Sequence, residues 1–295
     1  LTMEKFKQLG LIGCGMMGGS FALALKRAKL VDRVVGYNKS PNKAETAKRM
    51  GVIDFAAASI LQAVMGADLV LIAVPVSATL DVLKSVQFGL HKDALILDVG
   101  STKQSVIEAA QSVFGALPSH FVPSHPIAGK ELSGVEHADA DLYAGKQIIL
   151  TPIERTLTNQ LQKAVDVWTA LGCRVLKMSP EQHDAAFAAV SHLPHLIAFA
   201  LMNAISGQPQ GKDYLSLAGP GFRDFTRIAA GDPKIWRDIM VSNREELLEQ
   251  SKIFQRTLQA MELMISSGNG DALEGLIEQA SNTRAHWTMA SKHNK

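Results

Sequence analysis

The first strand-like run of the chain ends at Ile12 and passes directly into Gly13-Cys14-Gly15-Met16-Met17-Gly18-Gly19-Ser20, after which a helix-like stretch begins. No other segment restricts the fold as much. A lone G-x-G-x-x-G is a weak signal, because glycine-rich turns often serve packing only. At the first strand-to-helix junction of an alternating α/β pattern it stands in the context that dinucleotide binding requires. Gly13 permits a tight turn, Gly15 lets the backbone approach a pyrophosphate, and Gly18 lets the helix pack close to the strand. The helix N-terminus then offers free N–H groups and the positive end of its dipole to the phosphates. The loop therefore predicts a dinucleotide held by Gly13, Gly15, Met16, Met17 and Gly18.

The rest of the first half supports that context. Short apolar runs at 8–12, 33–36, 67–74, 94–99, 120–123, 146–150 and 174–178 alternate with helix-like segments near 18–28, 41–50, 59–65, 77–86, 103–114 and 155–171. Continuous Leu/Ile/Val runs mean strands covered on both faces, and alternation with helices means right-handed crossovers. The expected fold is a Rossmann-type, doubly wound, mostly parallel sheet over 1–178. Beyond it the strand signal stops, and 179–295 reads as all-helical. Residues 180–206 are apolar almost all round, as in a helix buried on every side. A Gly- and Arg-rich loop is expected at 217–231, then one long helix capped by Asp232 with Pro233 in its first turn, ending before Gly268. A last helix covers roughly 271–287. Such apolar helices are hard to bury in one small lobe, so a shared homodimer core is expected.

The 295 residues carry 47% hydrophobic and 20% charged side chains, which excludes a disordered or small disulfide-stapled chain. The formal charge of +2 comes from 30 basic and 28 acidic residues without a single-sign run, so no nucleic-acid or membrane-surface partner is expected. Two cysteines, Cys14 and Cys173, argue for a reduced, cytoplasmic compartment rather than a disulfide. No apolar stretch approaches 18 residues without a charge or a breaker, and the first strand begins by about Lys7, leaving no room for a signal peptide.

The second strand decides the cofactor. An acid about 20 positions after the last glycine would hold the ribose hydroxyls of NAD. That place reads Gly36-Tyr37-Asn38-Lys39-Ser40, with no carboxylate. Asn38 and Ser40 can hydrogen-bond and Lys39 offers positive charge, so NADP is preferred over NAD. Three further segments end strands at the carboxyl edge, where ligands of open α/β sheets bind. They are the segment containing Val74 and Pro75, the Asp98-Val99-Gly100-Ser101-Thr102-Lys103 segment, and Ser124-His125-Pro126-Ile127-Ala128-Gly129. His125 is the natural proton acceptor, given a partner that sets its tautomer, and Ser101 is positioned to be that partner. In the helical half, Ser191-His192-Leu193-Pro194-His195 places two histidines three apart. No acid or cysteine stands at fitting spacing, so no metal is expected. Arg223 and Arg227 suit carboxylate recognition, while one of them is expected only to pair with Asp224.

These pieces resemble the prephenate and arogenate dehydrogenases of tyrosine biosynthesis: GCGMMGGS at 13–20, DVGSTK at 98–103, HPIAGKELSG at 125–134, SHLPH at 191–195 and GFRDFTR at 221–227, in family order across nearly the whole chain. The resemblance implies NAD(P)-dependent oxidative decarboxylation of a cyclohexadienol to 4-hydroxyphenylpyruvate or tyrosine. His125 would accept the hydroxyl proton, and Ser101 would hydrogen-bond the histidine or the substrate hydroxyl. Arg227 would grip a substrate carboxylate and His195 would help to bind the substrate. Glu131 and Asp224 resemble the family's ionic network near the site entrance, and Lys130 bears on substrate choice. Many members carry an acid where Asn38 stands, so the cofactor preference is not inherited from the family and rests on the argument from Lys39 and the missing carboxylate. Some relatives carry a fused mutase or a regulatory domain, for which a chain of this length has no room. Two other readings compete. A β-hydroxyacid dehydrogenase would need a catalytic lysine on a helix of the second half, and 185–206 contains none. A non-catalytic NADP sensor would not need His125, Ser101 and Arg227 together. Prephenate, or dual use, is favoured over arogenate alone.

Overall fold

Alternate residues of the central strands face opposite layers, which explains why the apolar runs are continuous. The computed structural model describes residues 5–115, 120–129 and 132–289. The first unit runs β1 (Phe6–Ile12), α1 (Met16–Arg27), β2 (Val31–Tyr37), α2 (Pro41–Arg49), β3 (Phe55–Ala56), α3 (Ile60–Val64), β4 (Leu69–Ile72), α4 (Thr79–Val86), β5 (Leu95–Asp98), α5 (Gln104–Phe114) and β6 (Phe121–Val122). All six strands are parallel in the order β3-β2-β1-β4-β5-β6. Leu69 and Leu71 of β4 pack on one face with Phe21, Tyr143 and Trp168, whereas Val70 and Ile72 pack on the other with Val82, Leu83 and Val106. Each such buried aliphatic side chain is worth about 1.5–3 kcal/mol against exposure, so no single face could be left bare. The order reverses between β1 and β4, which opens a crevice at the carboxyl ends of those two strands.

The apolar runs at 146–150 and 174–178 do not join the main sheet. The chain leaves the main sheet after β6, because Pro123 has no N–H to donate and the N–H of Ser124 goes to the Asp98 carboxylate at 2.8 Å. β7 (Ser124–Pro126) then pairs antiparallel with β8 (Gln147–Leu150). After α6 (Thr158–Ala170), β9 (Arg174–Lys177) pairs parallel with β8 to complete a separate three-stranded sheet. His125 therefore stands on a short edge strand of this second sheet and not at the end of a main-sheet strand.

The helical unit runs α7 (Pro180–Phe187), a π turn at Ala188–His192, α8 (Leu193–Ser206), α9 (Gly211–Ser216), α10 (Pro220–Thr226), a 3-10 turn at Arg227–Ala230, α11 (Pro233–Ser242), α12 (Arg244–Ser266) and α13 (Gly270–His286). Three expectations change here. The 217–231 stretch is largely helical. The long helix breaks at Asn243 (φ −113°, ψ 33°), whose side chain turns inward to hydrogen-bond elsewhere in the core. The apolar helix over Pro180–Ser206 is not buried on every side within one chain: Pro180, His183, Asp184, Ala188, His192 and Ala198 are buried, while Val190 is 71% exposed. Among the described residues it is also the one helix long and apolar enough to cross a membrane. One chain lacks the helical mass to cover it. Cys14 and Cys173 are buried free thiols, each pushed up to about 12 by burial.

Candidate active site

The glycine loop has the geometry its spacing predicted. Gly13 has φ +100°, and a Cβ there would stand 2.1 Å from the Ala73 carbonyl oxygen. A Cβ on Gly18 would meet the Gly13 carbonyl oxygen at 2.2 Å, so α1 can approach β1 only with glycine at that position. Gly15 differs, because nothing lies within 4 Å of its missing side chain. It caps the N-terminus of α1 beside a cleft of about 250 Å³. Gly15, Met16, Met17, Val74, Pro75 and Ser101 all line that cleft, together with Ile235 and Ile239 of α11. The loop is held from behind, where the Tyr143 hydroxyl donates to the Met17 carbonyl at 2.7 Å. The open backbone over Gly15 and the free N-terminus of α1 fit a dinucleotide pyrophosphate.

At the end of β2, Asn38 ties the glycine loop to the turn before α2. Its Oδ1 accepts from the Cys14 N–H at 3.3 Å, and its Nδ2 donates to the Ser40 carbonyl at 3.3 Å. Ser40 stands at the N-cap position of α2 with Pro41 behind it, and Lys39 is exposed. α11 closes the cleft from the other unit, and the Ser77 hydroxyl, just after Pro75, donates to the Asp238 carboxylate at 2.5 Å.

The end of β5 fixes the strand that carries His125. Asp98 Oδ1 accepts from Ser124 N–H, while Oδ2 accepts from Gly100 N–H at 2.9 Å and from Lys103 Nζ at 2.5 Å. Lys103 Nζ also donates to the Ser124 carbonyl at 2.8 Å. The pair is wholly buried, and burial pulls the Lys103 ammonium below its ordinary value. Both backbone groups of Ser124 are thus fixed beside His125, and the same Asp98 holds the cleft-lining Gly100.

His125 Nδ1 lies 2.8 Å from His183 Nε2, and His183 Nδ1 lies 2.7 Å from Asp184 Oδ1. Phe187 packs against both rings, with centroids 4.8 and 4.6 Å away. Asp184 also caps α5 from the helical unit: Oδ1 accepts from Lys103 N–H at 2.9 Å and Oδ2 from Gln104 N–H at 3.0 Å. Burial alone would raise its carboxyl, but the hydrogen bonds from His183 and these two backbone groups hold it below the usual carboxylate range. Burial pulls both histidines below the ordinary imidazole value, His125 strongly, with His183, Lys103 and His192 adding to the effect on His125. Behind Asp184, Asn243 Nδ2 donates to the Asp184 carbonyl at 2.9 Å and stands 3.1 Å from His192 Nδ1. Burial lowers His192 to about 4. His195 donates from Nδ1 to the Ser191 carbonyl at 2.8 Å, and its ring stacks on Trp236 at 3.5 Å.

Set against the sequence, the cleft unites Gly15, Met16, Met17, Val74, Pro75 and Ser101. Gly13, Gly18, Asn38, Lys39, Ser40, His125, His195, Arg227 and Asp224 lie outside its lining. The expected histidine partner is corrected: no hydrogen bond joins Ser101 to His125, and the place is taken by His183, whose ring nitrogen is aimed at His125 across the two units. Arg227 begins the exposed 3-10 turn that packs against α8, the helix carrying His195. Asp224 pairs with Arg223 at 3.2 Å on the surface, as one of the two arginines was expected to do. Lys130 and Glu131 lie outside the described residues. Among the described residues no group of three or more His, Cys, Asp or Glu side chains is arranged to hold a metal ion. His183, Asp184 and Asp238 were not picked out from the sequence. Asp184 carried a signal, because it is the sole carboxylate between Glu181 and Asp213. An acid in so apolar a helix needs buried partners.

Fold and site define a two-domain nicotinamide-dependent dehydrogenase whose cofactor cleft is closed by a helical unit. Comparison with known proteins narrows the class. The prephenate dehydrogenase nucleotide-binding domain matches residues 21–177, and the prephenate dehydrogenase dimerization domain matches 179–279. The chain belongs to the prephenate dehydrogenase family. It is 38% identical to the cyclohexadienyl dehydrogenase of Zymomonas mobilis over 92% of both chains. It is 34% identical to the prephenate dehydrogenase of Bacillus subtilis over 93% of this chain and 74% of that one. Among solved structures, prephenate dehydrogenase from Aquifex aeolicus in complex with hydroxyphenyl propionate and NAD+ superposes with a TM-score of 0.88 at 35% identity, over 97% of this chain and 98% of that one.

Proposed function

We propose that this chain oxidatively decarboxylates prephenate, uses NADP in preference to NAD, and works as a cytoplasmic homodimer built on residues 179–295, with 1–178 binding the cofactor. The observation that carries the reading is the coincidence of a glycine-loop cleft with a histidine held on a two-residue relay next to the cleft wall. The bound nicotinamide supplies the hydride acceptor for the ring carbinol carbon. His125 takes the carbinol proton at Nε2, the ring nitrogen not engaged by His183, and burial keeps that nitrogen unprotonated and ready near neutral pH. Ser101, on the cleft wall, orients the substrate hydroxyl. Arg227 binds a substrate carboxylate and His195 helps to seat the substrate, while Lys130, Glu131 and Asp224 keep the roles that the family resemblance implies. Loss of carbon dioxide aromatises the ring, so the side chains need only position the carbinol and remove its proton.

The NADP preference rests on Asn38, whose amide occupies the place where a carboxylate would repel a 2′-phosphate, and on the neighbouring Lys39 charge. The dimer rests on the partly uncovered apolar faces of the π turn before α8 and of α12, where Val190, Leu248, Leu258 and Leu263 are exposed in a single chain. Initial rates with prephenate or arogenate, each with NAD or NADP, test the reading. Prephenate with NADP should be fastest. Faster turnover with NAD would overturn the cofactor assignment. No turnover from a folded protein that binds NADPH would overturn the reaction.

A further inference from the structure

We propose that His183, anchored by Asp184, is a positioning residue that fixes His125 in its Nδ1–H tautomer and takes up part of the charge when His125 accepts the substrate proton. The proposal rests on the reading of His125 as the base and assigns a partner to it.

The proton positions follow from the donors around Asp184. The backbone N–H groups of Lys103 and Gln104 can only donate, so both carboxylate oxygens act as acceptors. The 2.7 Å contact between Asp184 Oδ1 and His183 Nδ1 must then be an N–H donated by the histidine. A neutral His183 has a bare Nε2. The 2.8 Å contact to His125 is satisfied only if His125 Nδ1 carries the proton and donates it. That leaves Nε2 as the one lone pair on the His125 ring. His183 is wholly buried while His125 is partly exposed, so one imidazole faces the reaction and the other does not.

The same chain moves charge without an external proton carrier. As the substrate O–H bond breaks, its proton bonds to His125 Nε2. The Nδ1 proton of His125 passes to His183 Nε2, which becomes an imidazolium against the Asp184 carboxylate. One proton enters the pair and none leaves, so the step balances. Asp184 sits on α7 and His125 on β7, so the base is armed only where the two units meet. The other groups facing the pair are Lys103 from the N-cap of α5, Asp98 from β5, and His192 from the π turn. Asp98 pairs with Lys103 at 2.5 Å, whereas Asp184 bonds His183 directly, so Asp184 is the carboxylate in contact with the pair.

Three variants of the full-length enzyme and one spectroscopic readout test this. His183→Leu removes the acceptor and should lower kcat for prephenate about tenfold to hundredfold while KM changes less than about threefold. His183→Gln places Oε1 near the position of Nε2, can accept from His125 but cannot take a proton, and should recover to within about tenfold of wild type. Asp184→Asn should move the acid limb of the kcat/KM profile to lower pH, because the charge that favours the protonated pair is gone. A merely structural role would lower the rate without moving that limb. Imidazole nitrogen NMR of wild type above neutral pH should report His125 protonated at Nδ1. An Nε2–H signal there, or a His183→Leu enzyme with wild-type kcat, would overturn the proposal. If wild type fails to turn over prephenate, the function falls, and the NMR result still decides the tautomer separately.

Discussion

Gly15 and Gly18 stand three residues apart in one loop, and the structure gives them opposite sensitivities. Gly15 has φ −88° and ψ −162°, an ordinary extended conformation, and nothing lies within 4 Å of a Cβ built on it. Gly15→Ala loses unfolded-state entropy, which stabilises by about 0.4–1 kcal/mol, and replaces a tolerated N-cap residue with a poor one, which costs a similar amount. Folding should therefore shift by less than about 1 kcal/mol. The methyl group nevertheless occupies the space a pyrophosphate must enter. Losing one charge-assisted hydrogen bond costs about 1.5–3 kcal/mol, or roughly tenfold to hundredfold in NADPH affinity. Gly18→Ala places its methyl 2.2 Å from a backbone oxygen and 2.9 Å from Leu11 Cδ1, which forces α1 to move and should cost about 1–3 kcal/mol of stability. Fluorescence titration with NADPH and urea unfolding of both variants separate the two effects. A folded Gly15→Ala protein that binds NADPH as wild type does would refute the placement of the phosphates over this loop.

Other outcomes follow from the same geometry. Lys103→Met leaves Asp98 charged and buried with only its backbone donors and should cost about 3–5 kcal/mol in urea unfolding, while adding Asp98→Asn should restore part of the loss. Stability should fall as pH drops from about 6.5 toward 4: the unfolded chain takes up protons that buried His192 refuses until about 4, a penalty of about 3 kcal/mol when complete, and His125 and His183 act in the same direction. Above pH 6.5 these groups are neutral in both states and stability should be flat with respect to them, as unfolding midpoints measured across that range would show. Asn38→Asp supplies a ribose-binding carboxylate and repels a 2′-phosphate, so the ratio of kcat/KM for NAD over NADP should rise at least about tenfold.

The glycine loop, the order of strands and helices, and the step to an all-helical unit were legible because each rests on local chemistry: turn glycines, covered strands and a run of apolar helix. The departure of β7 from the main sheet was not, since it depends on Asp98 capturing the N–H of Ser124, a contact 26 residues apart in sequence. Ser101 was a reasonable partner for His125 by proximity in the chain. His183 is 58 residues away and arrives only because α7 packs against α5. Asn243 falls on the periodic face of what reads in the sequence as one long helix. Its inward hydrogen bonds compete with helix continuity and break it there. The apolar helix at 180–206 pointed to burial, and a single chain supplies too little to cover it.

If His125 is the base of a prephenate dehydrogenase, the kinetics of His125→Asn with prephenate and NADP must show it. This variant should have kcat about a hundredfold or more below wild type with KM for prephenate changed only a few fold, because the asparagine still fills the site but cannot take the proton. A variant that keeps more than about a tenth of wild-type kcat would contradict it, since general-base catalysis by a positioned side chain is worth at least about a hundredfold.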